Sequence, residues 1–311
     1  MLSPPLWQRL SPRRRLPAIL CFHDVVDRRW LHGLLRQLSE RAEIVSLASL
    51  VEHREALDGQ VALTFDDGYK SIRTIVEPVC SDLGLPFTTF VCSEVLTGGP
   101  APWYDRVNLV VRTIGSERAA RYWGFQSDPG RQLVLALKEA PRDVILRGLA
   151  QAESEAGIDS RVLCERFMTE EDLMQVARNP LATIGSHTHT HPILSNLNAE
   201  EQRGEIRLSV DTIRRLCNAP VRTFAYPNGK PEDMDSGVVQ ALREAGVQVA
   251  VTTVQRPVLA QDDTMSLPRL GISEGDSIGK LETKWTLPWL SAGDMRENSC
   301  RRRYRGYWRT H

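Results

Sequence analysis

With 311 residues, 41% hydrophobic and 25% charged, the chain has the make-up of a globular protein that buries a core, as one large α/β domain or two small ones. Lys plus Arg and Asp plus Glu both number 39, a balance that argues neither for nucleic acid nor for a polyanion as partner, and no nucleic acid is expected. No run approaches the ~20 apolar residues of a membrane span, and no signal peptide is evident.

Residues 1–16 read as an N-terminal extension that includes the basic run Arg13–Arg15. Ala18–Phe22 reads as the first buried strand, ending on His23-Asp24. By itself, a histidine at such an end reads as a structural residue. Leu31, Leu34, Leu35 and Leu38 recur at helical spacing, which predicts a helix over Trp30 to Glu40. A short strand is expected at Ile44–Leu47 and another helix from Leu47 to Leu57. Val61-Ala-Leu-Thr64 reads as a buried strand running into Phe65, Asp66, Asp67 and Gly68. Ile72 to Leu83 reads as a helix ended by Gly84, and Phe87–Cys92 as the next strand. This strand–helix alternation predicts a parallel, barrel-like sheet.

From about 97 to 179 the pattern turns helical, with helices expected at Val107 to Ile114, Arg131 to Leu137 and Val144 to Ala156. With no Gly/Ser linker at its edges, this stretch reads as an insertion between barrel strands. Gly98 to Asp105 reads as a loop in which Trp103 and Tyr104 could stack on a sugar, or simply pack. Thr169 and Asp172 have the spacing of a capped helix start. Leu181–Ile184 is a short apolar run before Gly-Ser-His-Thr-His-Thr-His-Pro192. Ala199 to Leu216 is a long amphipathic helix; Val221–Gly229 a strand and turn; Gln248 to Thr253 and Leu267–Gly271 the last strands. Residues 281–311 form a tail with tryptophans and a basic run, Arg301–Arg305, and no motif. The two basic ends leave peripheral membrane contact open. Six cysteines (Cys21, Cys80, Cys92, Cys164, Cys217, Cys300) are scattered with no C-x-x-C pair, so a reducing compartment, the cytoplasm, is the expected location.

The chemistry concentrates at two strand ends, where α/β folds display their sites. Asp66 and Asp67 can take different tasks, since neighbouring side chains on extended backbone diverge. Asp-Asp-Gly is also a plain turn signal. The three histidines are harder to explain as packing, because each buried imidazole needs a partner and neutral imidazole is a common metal ligand. His187 and His191 could share an ion if the strand ends between them, and His187 and His189 if it stays extended. Asp67 with two histidines would leave a coordination position open for water, with Asp66 free as its base.

Thr64-Phe-Asp-Asp-Gly68 followed by His187-Thr-His-Thr-His191 resembles the polysaccharide deacetylases, the nodulation-type deacetylases of carbohydrate esterase family four. The resemblance runs from about Pro17 to Ile272, and the deacetylase domain is placed at 17–280. It implies a distorted (β/α) barrel, one divalent metal ion, usually Zn2+, and hydrolysis of acetyl groups, N-acetyl first, on a cell-surface polysaccharide or its precursor. By that likeness Asp66 is the catalytic base, and Asp67, His187 and His191 hold the metal. The Tyr226 backbone N–H would face the oxyanion. Phe22-His23 is similar to the start of the biofilm poly-N-acetylglucosamine deacetylases, which makes His23 the candidate general acid. Trp103, Tyr104, Asn228 and Arg269 are candidate substrate contacts. The sequence departs from the family at Ala225, where an arginine usually steers the base, and at Arg269, where a histidine usually stands. Asp66 is therefore expected to lack its cationic neighbour. An aminosugar-lipid deformylase with the same metal site and a glycan-binding protein with a degenerate site remain as alternatives.

Overall fold

The structure, a computed structural model, describes residues 15–55, 59–126 and 133–286. Seven strands form one parallel sheet: β1 (Ala18–Phe22), β2 (Val61–Phe65), β3 (Phe87–Val91), β4 (Ala182–Ser186), β5 (Thr223–Ala225), β6 (Val249–Val251) and β7 (Leu270–Gly271), in the order β6-β5-β4-β3-β2-β1-β7. The segment before β7 bends the sheet round. Leu267 bridges Val251 of β6, while Leu270 three residues later pairs with Leu20 of β1. This curled sheet with helices outside is the expected (β/α) barrel architecture.

The period of two along each strand sorts the core into layers. Leu20, Phe22, Leu63 and Phe65 join the cluster that packs on the surrounding helices, with Phe22 and Phe65 stacked at 4.9 Å. Ile19, Ala62, Phe90, Ala225, Val251 and Leu267 form a separate cluster inside the curl. Two residues on from Ile19 comes Cys21, and from Ala62 come Thr64 and then Asp66. The alternation thus aims Cys21 and Asp66 at the mouth of the interior.

The helices are α1 (Arg28–Ser39), α2 (Leu47–Glu52), α3 (Glu77–Leu83), α4 (Ser93–Leu96), α5 (Trp103–Ile114), α6 (Ser116–Arg121), α7 (Leu133–Leu137), α8 (Arg142–Ala156), α9 (Glu170–Ala177), α10 (Ala199–Cys217), α11 (Ser236–Glu244) and α12 (Ile278–Thr286). α1 buries the four leucines read from its spacing, and Asp27 caps it by accepting from the Arg29 and Trp30 N–H groups. Thr169 and Asp172 form the expected capping box of α9. Gly84 ends α3 at φ 67°, a left-handed cap.

Several elements differ from expectation. The strand at Ile44–Leu47 is a single bridge from Ile44 to Val61, because Ser46 already caps α2. α2 ends at Glu52, short of Leu57. Ile72–Val76 is a π-helical turn that leads into α3. The loop expected at 98–105 gives way to α5 at Trp103, since Pro102 supplies the extended entry residue. Between β3 and β4 the helices keep a core of their own, built on Trp103, Val107, Trp123, Leu137 and Leu149. Residues 1–14, the start of the Arg131 helix, and the tail beyond 286 with Cys300, Trp289 and Trp308 lie outside the described residues. Among the described residues no helix is long and apolar enough to cross a membrane.

Candidate active site

The two motifs meet at the ends of β2 and β4. Asp67 takes φ 73°, a left-handed conformation rare for a non-glycine residue, and Gly68 follows at φ 77°. A Cβ on Gly68 would lie 3.1 Å from the Val91 side chain, so glycine is needed for space as well as for φ. The strained turn is clamped by the end of the helical segment. Met168 N–H donates to Gly68 O at 3.0 Å, Lys70 N–H to Arg166 O at 2.7 Å, and Tyr69 stacks on Phe167 at 4.8 Å. Of the five described non-glycine residues with positive φ, four (Asp67, Thr188, His191, Asn228) stand at this site, and Asn218 caps α10.

The histidine segment leaves β4 and turns at Thr188, φ 67°, so that it does not stay extended. That turn decides between the two pairings. His187 and His191 converge on Asp67, with Nε2 atoms 3.4 and 3.5 Å from Asp67 Oδ1. His189 points away and pairs its Nδ1 with Ser93 Oγ at 2.7 Å. Glu205 of α10 holds the loop by accepting from His189 N–H (3.0 Å), Thr190 N–H (2.9 Å) and Thr190 Oγ1 (2.7 Å). Trp103 Nε1–H donates to His191 O at 3.1 Å, and the Tyr104 ring lies edge-on to His191 at 4.8 Å.

The donor set fits a divalent cation. Bonds of about 2.0–2.2 Å at tetrahedral angles place two ligand atoms about 3.4 Å apart, the spacing seen here. His187 Nδ1 lies 2.7 Å from Ala225 O, which only accepts, so this nitrogen carries the proton. In the neutral ring, the Nε2 lone pair then faces a carboxylate, and the pair needs a cation between them. Burial would lower the His187 pKa, but Asp67, Asp66 and the Ala225 carbonyl raise it overall. Burial and then the charge of His187 press His191 down to about 3. His191 Nδ1 is buried with no hydrogen-bond partner.

Arg269 corrects two expectations at once. Its side chain is fully buried and gripped end-on by Asp66, with Nη1–H donating to Oδ1 and Nη2–H to Oδ2, both at 2.7 Å. Nε–H donates to Thr252 O at 2.7 Å and Nη1–H to Thr64 Oγ1 at 3.1 Å. It is therefore not a substrate contact. It is the cation that Ala225 was expected to deny Asp66, supplied from the other edge of the sheet. Burial alone would raise the Asp66 pKa, and the guanidinium pulls it below the usual carboxylate range.

Tyr226 is the second correction. Its N–H donates to Val251 O at 3.1 Å, because the β5–β6 ladder continues one residue past β5. That hydrogen is not turned to an oxyanion, and the phenol is spent on Met265 O at 2.8 Å. Asn228 lies on the cleft wall with both ends of its amide engaged, accepting from Lys138 Nζ at 2.6 Å and donating to Asp233 Oδ2 at 2.5 Å. Trp103 is mostly buried and supports the loop through its Nε1–H, and it also lines the cleft. Asp66, Asp67, His187, His191, Tyr104 and an exposed His23 line one cleft of about 860 Å³.

Comparison with known proteins agrees with this geometry. Residues 138–250 match the family described as polysaccharide deacetylase, a span that takes in the histidine motif and the Ala225–Asn228 turn but not Asp66 and Asp67. Over that span the resemblance read from the histidine motif holds. Solved structures with this fold include the Streptococcus pyogenes deacetylase PplD in complex with acetate (TM-score 0.57, 14% identity, 86% of this chain and 96% of that one). IcaB from Ammonifex degensii superposes with TM-score 0.57 at 16% identity, over 87% of this chain and 97% of its own. The BpsB deacetylase domain from Bordetella bronchiseptica gives 0.54 at 17%, over 82% and 95%. No curated protein matches the sequence. The (β/α) barrel these structures share is thus the frame on which both strand-end motifs sit.

Proposed function

We propose that the protein is a metal-dependent deacetylase acting on an N-acetylated sugar of a surface polysaccharide or its precursor. The observation that carries this reading is the convergence of His187 and His191 on Asp67 beside a separately held carboxylate, Asp66. A divalent ion bound by Asp67, His187 and His191, zinc by the donor set, would supply a Lewis acid for the acetyl carbonyl and acidify a water.

The remaining work falls to the chain's own groups. Asp66, ionised and fixed by Arg269, faces the cleft and accepts a proton on its carboxylate from the attacking water. The buried pair holds that carboxylate in one orientation, so no reorganisation is needed as the proton moves. His23, at the exposed lip of the same cleft, gives the proton from its ring N–H to the departing sugar nitrogen. Ala225 O fixes the His187 tautomer, and Glu205 and Trp103 fix the His191 loop.

The departures at Ala225 and Arg269 are what favour a degenerate glycan-binding site. The Arg269–Asp66 pair answers the first, since the base keeps a cation, and His23 in the cleft stands against the second. Acetate release from acetylated oligosaccharides, metal-loaded against chelated, tests the proposal, with formyl analogues run alongside. Formate release without acetate release would replace the proposed acyl group with formyl.

A further inference from the structure

Next to the Asp67 site lies a second set of donors that shares no residue with it. Cys21 projects from β1 into the same interior as Asp66, with its Sγ 3.5 Å from Asp66 Oδ2. The thiol sulfur, a His23 ring nitrogen and an Asp66 carboxylate oxygen all lie within 4.8 Å of one another. Zinc–sulfur bonds of about 2.3 Å and zinc–oxygen bonds of about 2.1 Å place sulfur and oxygen about 3.6 Å apart on one tetrahedral ion. All three residues line the cleft, His23 at its exposed lip, so an ion reaches them from solvent. Arg269 already occupies part of the Asp66 carboxylate, yet an ionised carboxylate offers about four lone-pair sites. The positive charge of Arg269 opposes a second cation and the Asp66 carboxylate offsets it; burial holds the Cys21 thiol protonated, well above its usual pKa, so the incoming metal must displace that proton.

We propose that Cys21, His23 and Asp66 form a second, inhibitory site for a thiophilic divalent cation such as zinc, with water completing the coordination. Binding forms metal–sulfur, metal–nitrogen and metal–oxygen bonds, and the Cys21 thiol proton leaves to solvent. Nothing is oxidised or reduced. Occupancy takes away both the carboxylate and the imidazole assigned as base and acid. That consequence rests on the proposed deacetylase reading, whereas the binding does not.

The test is a titration of the apo-protein with Co2+, followed by absorption and by counting bound ions. The Asp67 site has no sulfur, so a thiolate-to-cobalt charge-transfer band belongs to the second site and grows in with the second ion. Two ions are expected per chain, and one in Cys21→Ser with the band gone. His23→Ala, a change at an exposed side chain, keeps the sulfur and should weaken the second ion at least tenfold while sparing the first. In parallel, excess zinc should inhibit turnover, and at least ten times more zinc should be needed in Cys21→Ser, each measured against its own one-ion rate. A band that persists in Cys21→Ser, or two ions still bound there, overturns the proposal. So does His23→Ala with unchanged second-ion affinity. If ions and band behave as expected but no acyl release occurs under any loading, the site stands and the deacetylase reading falls.

Discussion

Replacing Arg269 by methionine is the most informative single change to the fold and the chemistry together. The side chain is fully buried and makes paired 2.7 Å bonds to Asp66, itself 1% exposed. Methionine fills much of the volume but leaves a buried carboxylate alone, which typically costs about 3–5 kcal/mol. Without the guanidinium, burial, the largest influence on Asp66, is opposed only by the charges of His187 and His23, so its pKa rises. The direction with pH follows from this. In the native protein the depressed carboxyl contributes stability that is complete above the ordinary value of ~3.9 and lost as pH falls through the native value. In Arg269→Met the raised carboxyl disfavours the fold at neutral pH and relaxes on acidification, so the two proteins differ most near pH 7 and converge in acid. Urea unfolding across pH reads the stability, and the rate profile reads the base: the acid limb should move to higher pH. Turnover then falls about tenfold for each unit by which the carboxyl exceeds the assay pH. Adding Asp66→Asn should recover about 1–3 kcal/mol of the sum of the single losses, since the two groups are one unit. Strict additivity with an unmoved acid limb would refute the pairing as the control on Asp66.

Three further outcomes follow from the contacts. His191→Ala removes one of three ligands and should weaken ion binding by more than the ~10–100-fold that loss of an outer partner costs, as read by calorimetry. His23→Ala should lower kcat by about 10²–10⁴-fold with first-ion affinity unchanged, and added imidazole should restore part of the rate. Glu205→Gln weakens the charge-assisted hold on His189 and Thr190, and should cost about 1–3 kcal/mol in urea unfolding together with looser ion binding.

Both halves of the site were legible as motifs because strand ends followed by clustered carboxylates or histidines have few packing explanations. The residues alone leave His189 and His191 open and only the family likeness picks His191, since the choice depends on Thr188 turning left-handed, a local strain that composition does not reveal. Arg269 carried a signal that was misread: an arginine between Leu267-Pro and Leu270-Gly in an apolar run must find a buried anion. That anion is 203 residues away. The oxyanion role of the Tyr226 N–H rests on the family likeness alone, and here one more rung of the β5–β6 ladder turns that N–H to Val251 O. The α5 start was hidden by prolines that read as loop, though Pro102 is what starts the helix. Glu205 gave no signal at all, being one acid among several on an amphipathic helix.

Metal-assisted deacetylation with Asp66 as base stands or falls on acetate release and bound metal measured together, in the native protein and in Asp66→Asn. The native protein should release acetate only when metal-loaded and stop on chelation. The Asp66→Asn variant should bind the same first ion with no measurable turnover. Turnover retained in that variant, or release indifferent to metal, would rule the mechanism out.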